Sequence, residues 1–98
     1  MEPSEIKKAR EAAMAEAVEI DKTCAWLQDE WVRLSNLRWC PSDGYLRALL
    51  RACPTESVIY AVLVTAERFA LGKVRRETWA PYVRAIAESH AEEQVHNG

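Results

Sequence analysis

The chain has 98 residues, 49% of them hydrophobic and 29% charged, with only three glycines and four prolines. That is room for one domain with its own core, and it excludes disorder, a collagen-like repeat and a loop-rich β-sandwich. The formal net charge of −2 argues against a simple DNA-coating protein.

Residues 5–40 contain no Gly or Pro, and Ser4 is placed to cap a helix with its hydroxyl. Apolar positions follow at Ala13, Ala17, Ile20, Cys24, Leu27, Trp31 and Leu34, at alternating gaps of four and three. That spacing predicts an amphipathic helix over about residues 5–35. Val18, Ala25 and Val32 widen one flank of its apolar stripe, and Glu16, Lys22, Thr23, Asp29 and Glu30 form the opposite face. Such a helix is about 46 Å long at 1.5 Å per residue. A domain of this size has a radius of gyration near ~13 Å, hence a diameter of roughly 34 Å. The helix must therefore kink, break near Asp21-Lys22-Thr23, or project. Its alanine-rich first half is poor core material, free to pack on a second copy, on a partner, or on nothing.

Ser35 to Gly44 reads as a connection, because Pro41 disfavours helical geometry at Cys40. Ser42 caps a second helix over about residues 43–52, with Tyr45, Leu46, Leu49, Leu50 and Cys53 as its apolar face. Arg47 and Arg51, one turn apart, point elsewhere. A third helix over about residues 56–71 takes Thr55 as its N-cap and Gly72 as its stop. Its apolar, β-branched centre, Val58 to Val64, also suits a buried strand. The length of the whole unit and the helical spacing that continues beyond it favour helix. Being apolar nearly all round, it is expected at the centre of the bundle. The last helix spans about residues 78–93, with Pro81 tolerated in its first turn. Trp79, Tyr82, Val83, Ile86 and His90 face inward, and residues 94–98 form a frayed tail. The expected fold is a single all-α domain, a small bundle of about four helices.

No apolar run reaches the 18 residues of a membrane span, and Met1 to Lys8 lacks the features of a signal peptide. The three cysteines, Cys24, Cys40 and Cys53, form no Cys-x-x-Cys pair, which excludes a disulfide framework and a zinc finger and suggests free thiols. A cytoplasmic protein without membrane contact is expected. Cys40-Pro-Ser-Asp43 and Cys53-Pro-Thr-Glu56 echo one another at two helix starts, as shared capping chemistry would produce.

The net charge conceals segregation. Residues 1–30 carry net −4, residues 31–87 net +5 and residues 88–98 net −3. Eight of the nine central bases are arginines, whose planar fork suits carboxylates and phosphates. Lys73-Val-Arg75-Arg76 is the densest cluster. Trp26 and Trp39 lie off the main core stripes and are candidate interface anchors.

No glycine-rich phosphate loop and no Gly-x-Ser-x-Gly elbow is present. His90 falls on an apolar face, and Glu92 and His96 lack a third metal ligand nearby. No catalytic, cofactor or metal site is expected, so the chain is not expected to be an enzyme. In a helix-turn-helix reading, the third helix would begin Glu56-Ser-Val-Ile-Tyr-Ala-Val, a poor reader of base edges. The expectation is a non-catalytic protein-binding module: an adaptor, regulator or inhibitor that occupies a surface. Small helical inhibitors of host defence from phage or mobile elements (anti-CRISPR-like) match it in size and composition, with no motif behind the analogy. The alternative is a nucleic-acid-binding accessory protein. Arg47, Arg51, Lys73, Arg75, Arg76, Trp26 and Trp39 are the candidate contact residues, and the N-terminal helix is a candidate homodimer seam.

Overall fold

Helical periodicity in the sequence becomes four helices in the computed structural model: α1 (Pro3–Ser35), α2 (Asp43–Ala52), α3 (Thr55–Ala70) and α4 (Trp79–Asn97). A 3-10 turn at Arg76–Thr78 leads into α4. The structure describes the backbone of residues 3–97 and the side chains of Glu11 and of residues 18–94. Ser4 does not cap α1, because the helix already begins at Pro3 and Ser4 lies inside it. The side chains of the seam positions Ala13 and Ala17 and of His96 lie outside the described residues. Among the described residues there is no strand, and no helix is long and apolar enough to cross a membrane.

The length conflict in α1 resolves without a break. Its 33 residues form one helix, about 50 Å long at 1.5 Å per residue. The central helix α3 has 16 residues and is about 24 Å long, so α1 outruns it. The molecule is accordingly elongated, 56 × 34 × 18 Å with a radius of gyration of 16.0 Å, against about 13 Å for a compact chain of this size. Core packing of the described part of α1 begins at Ile20 and runs through buried Cys24, Leu27 and Trp31 to Leu34. Val18, Ala25 and Val32 are exposed and do not widen that stripe. At 3.6 residues per turn they sit about 140° around the helix from the core-facing row, beyond the reach of α2 and α3.

α3 is the central helix, as its all-round apolarity predicts. It packs on both α1 and α4, burying Val58, Ala61, Val62, Ala66 and the polar Ser57 and Thr65. Thr65 costs little there because its hydroxyl donates to the Ala61 carbonyl at 2.7 Å. α2 lies against α1 through Leu46 and Leu49. Beside that contact, the Gln28 amide donates to the Pro41 carbonyl at 3.0 Å.

Local chemistry sets the helix ends. The Ser42 hydroxyl accepts from the Tyr45 amide at 3.1 Å, the N-cap expected of it. Thr55 is not a cap. Pro54 occupies that position with extended geometry (φ −58°, ψ 145°), its carbonyl accepts from the Val58 amide, and Thr55 is already helical. α1 ends at Ser35, and Asn36 after it takes a φ of 60°, a left-handed turn that Asn tolerates. α3 ends at Ala70, one residue short of the expected bound, and Gly72 follows at φ 72°. There the Lys73 amide donates to the Arg68 carbonyl at 2.9 Å and the Gly72 amide to the Phe69 carbonyl at 3.0 Å, a Schellman closure. At the other end of the chain α4 continues to Asn97 instead of fraying from residue 94. After Pro81 no Gly or Pro interrupts it before Gly98.

Candidate binding surfaces

The ends of α1 and α3 and the start of α4 meet in an aromatic cluster. Trp31 is fully buried, with Trp39, Phe69 and Trp79 around it at centroid distances of 5.5, 5.4 and 5.6 Å. Trp39 also meets Phe69 at 5.6 Å and Trp79 at 5.5 Å, and Tyr45 closes against Trp79 at 4.9 Å. These are tilted and edge-to-face contacts, the arrangements that aromatic quadrupoles favour. The Tyr45 hydroxyl donates to the Ala80 carbonyl at 2.7 Å and ties α2 to α4. Burial pushes this phenol up to about 12, with Arg84 opposing the shift. Parallel α1 and α3 thus bring their C-terminal ends to one pole of the molecule, where antiparallel α4 begins.

That pole is cationic. Arg76 lies over the Trp39 ring at 5.6 Å from its centroid, a cation–π contact. Arg38, next to Trp39, and Lys73 and Arg75, on the short connection before Arg76, are exposed around it. Among the described residues, ion pairs join Arg33 to Glu30, Arg47 to Asp21 and Asp43, and Arg84 to Glu88. None of these involves Arg38, Lys73, Arg75 or Arg76. Four of the seven candidate contact residues, Trp39, Lys73, Arg75 and Arg76, therefore come together. Arg38 joins them, unforeseen because its neighbourhood with Arg76 depends on how α1 and α4 pack.

The other three candidates lie elsewhere. Arg47 is half-buried and engaged inside the chain, donating to Asp43 at 2.5 Å and to Asp21 of α1. It clamps α2 onto α1. Arg51 is exposed at the far end of α2, where a hollow is lined by Glu19, Ile20, Thr23, Leu50 and Thr55. Trp26 is 45% exposed on α1, away from the aromatic cluster.

A second feature runs between α3 and α4. Tyr60, Arg68, Tyr82, Ile86, Ser89, His90 and Glu93 are among the residues lining an open groove of about 280 Å³. At one end the Arg68 guanidinium donates to the Tyr82 hydroxyl. At the other, His90 stacks on Tyr60 at 4.6 Å, and its Nδ1 shares a 2.9 Å hydrogen bond with the Ser57 hydroxyl. This pairing has the composition of a nucleophile and base, but Ser57 is 1% exposed, so a substrate has no path to its hydroxyl. The contact is the satisfied core histidine that the inward face of α4 predicts. His90 of α4 and Ser57 of α3 are 33 residues apart, so only the packing of the two helices reveals them as partners.

All three cysteines are free, Cys24 and Cys53 buried and Cys40 half-buried. Burial, then the nearby Asp43 charge, pushes the Cys24 thiol up, away from the reactive thiolate. α3 packs on α1 and α4, and its exposed positions include Glu56, Tyr60, Glu67 and Arg68, a face with two acids and one base.

Comparison with protein-family models, curated proteins and solved structures finds no significant match. The reading of these surfaces rests on their own chemistry.

Proposed function

We propose that the protein is a non-catalytic binding module that presents its cationic pole to an acidic protein surface, acting as an adaptor, regulator or inhibitor by occupying that surface. One observation carries this reading. Arg38, Lys73, Arg75 and Arg76 are exposed without an ion pair among the described residues, over an aromatic cluster that fixes Trp39 and Arg76. Arginine beside a partly exposed tryptophan is the composition of interface hot spots. A rigid platform also lowers the ordering entropy lost on binding. The same cations favour phosphate contacts in the second reading, as a nucleic-acid accessory protein, without base readout.

The test is affinity capture from the native host with the wild-type chain and with Arg75→Ala/Arg76→Ala, next to titrations of duplex and single-stranded nucleic acid across a salt series. A protein partner held by the wild type and lost from the variant is expected, with no nucleic-acid binding at low salt. Tight nucleic-acid binding that falls steeply with salt and is weakened in the variant would replace this reading by the second.

A further inference from the structure

A face of α1 that shares no residue with the cationic pole carries a separate inference. Val18, Ala25 and Val32 repeat every seven residues and are exposed, Val18 by 49% and Val32 by 40%. They lie on the far side of α1 from its core row, so nothing in the described fold covers them. Lys22 and Asp29, also exposed, run along one flank of this stripe.

The arrangement is symmetric about Ala25. Val18 and Val32 stand seven residues before and after it, and Lys22 and Asp29 lie at nearly equal distances on either side. An isologous contact requires such a surface, in which residue i meets residue j and j meets i. Laid antiparallel on a second copy with the two-fold beside Ala25, Val18 meets Val32, Ala25 meets Ala25, and Lys22 meets Asp29 twice over. The alanine methyl at the crossing lets the two backbones approach closely, and the valines close over it on both sides. Charges of opposite sign, three residues before and four residues after Ala25 on one flank, are complemented by a second copy of the same face. The two bundle bodies stay on the outer sides of the helix pair, because the core rows face away from the contact. We infer that the chain self-associates as an antiparallel two-fold dimer through the Val18–Ala25–Val32 face of α1.

A contact made by one helix face is small beside the about 800 Å² per partner of a standard interface, so the dimer forms at micromolar to millimolar concentrations. The test is sedimentation equilibrium of the full chain over that range, with circular dichroism to show that each variant keeps its helices. The expected result is a mass that rises to twice the monomer and no further. Val18→Asp/Val32→Asp should remain monomeric. Lys22→Asp should weaken association by about tenfold, since two symmetric attractions become repulsions. Lys22→Asp combined with Asp29→Lys should restore it. A strict monomer at millimolar concentration overturns the inference. So does a dimer indifferent to the valine substitutions, or a charge swap that fails to rescue.

Discussion

Trp31 is the residue on which the interior depends. It is fully buried, touches three other aromatic rings, and its indole Nε1 has no hydrogen-bond partner among the described residues. Truncation and conservative replacement should therefore differ sharply. Trp31→Ala opens a large cavity and is expected to lower unfolding free energy by about 3–5 kcal/mol in urea denaturation. Trp31→Phe removes the unsatisfied N–H together with part of the ring, and the relief of that polar burial offsets much of the lost packing. Its cost should be less than half that of alanine. Tyr45 gives a residue-scale signature in pH. Its phenol is raised from an ordinary value of 10 to about 12, chiefly by burial. The raised value means that the folded state holds its proton more tightly than the unfolded state. The linked stability is intact below pH 10 and is lost as pH rises through 12. Phenolate absorbance should show one tyrosine titrating late, and Tyr45→Phe should remove that step.

Between elements, the two internal glycines are expected to respond with opposite sign, although a Cβ at either would meet nothing within 4 Å. Gly72 sits at φ 72° and closes α3, so Gly72→Ala strains the backbone and should destabilise by about 1 kcal/mol. Gly44 is an ordinary helical residue in the first turn of α2, so Gly44→Ala should stabilise by about 0.5 kcal/mol through the unfolded chain. Thermal unfolding of the two variants decides both signs. These end signals are what the sequence discloses best. Ser42, Gly72 and the alternating gaps from Ile20 to Leu34 act over a few residues and fix their elements whatever the rest of the chain does. Thr55 misleads because its neighbour Pro54 reaches the cap position first, and residues 94–97 mislead because a polar helix end with no breaker reads like a tail. Val18, Ala25 and Val32 show a further limit. Apolar residues beside a core stripe look alike in sequence whether a neighbour covers them or not, and only the placement of α2 and α3 separates the cases.

Across the whole molecule, the candidate surface was half legible. Lys73, Arg75 and Arg76 cluster within the chain and could be read there. Arg38 joins them, and Arg47 departs from them, for reasons of packing alone: one lies at the pole where three helix ends converge, the other beside Asp21 of α1. The cationic pole and the exposed stripe of α1 involve different residues, so their tests are separable. Arg75→Ala/Arg76→Ala should leave self-association unchanged, and Val18→Asp/Val32→Asp should leave the pole and its arginines in place. The aromatic cluster beneath that pole has an optical consequence. Three of the four indoles lie within 5.6 Å of one another, close enough to pool their excitation, and the Arg76 cation rests on one of them. Trp26, 45% exposed on α1, should emit apart from them and further to the red. The chain's own fluorescence therefore has two sources, one beside the surface proposed to bind and one remote from it, and a partner that displaced Arg76 would announce itself in the first alone.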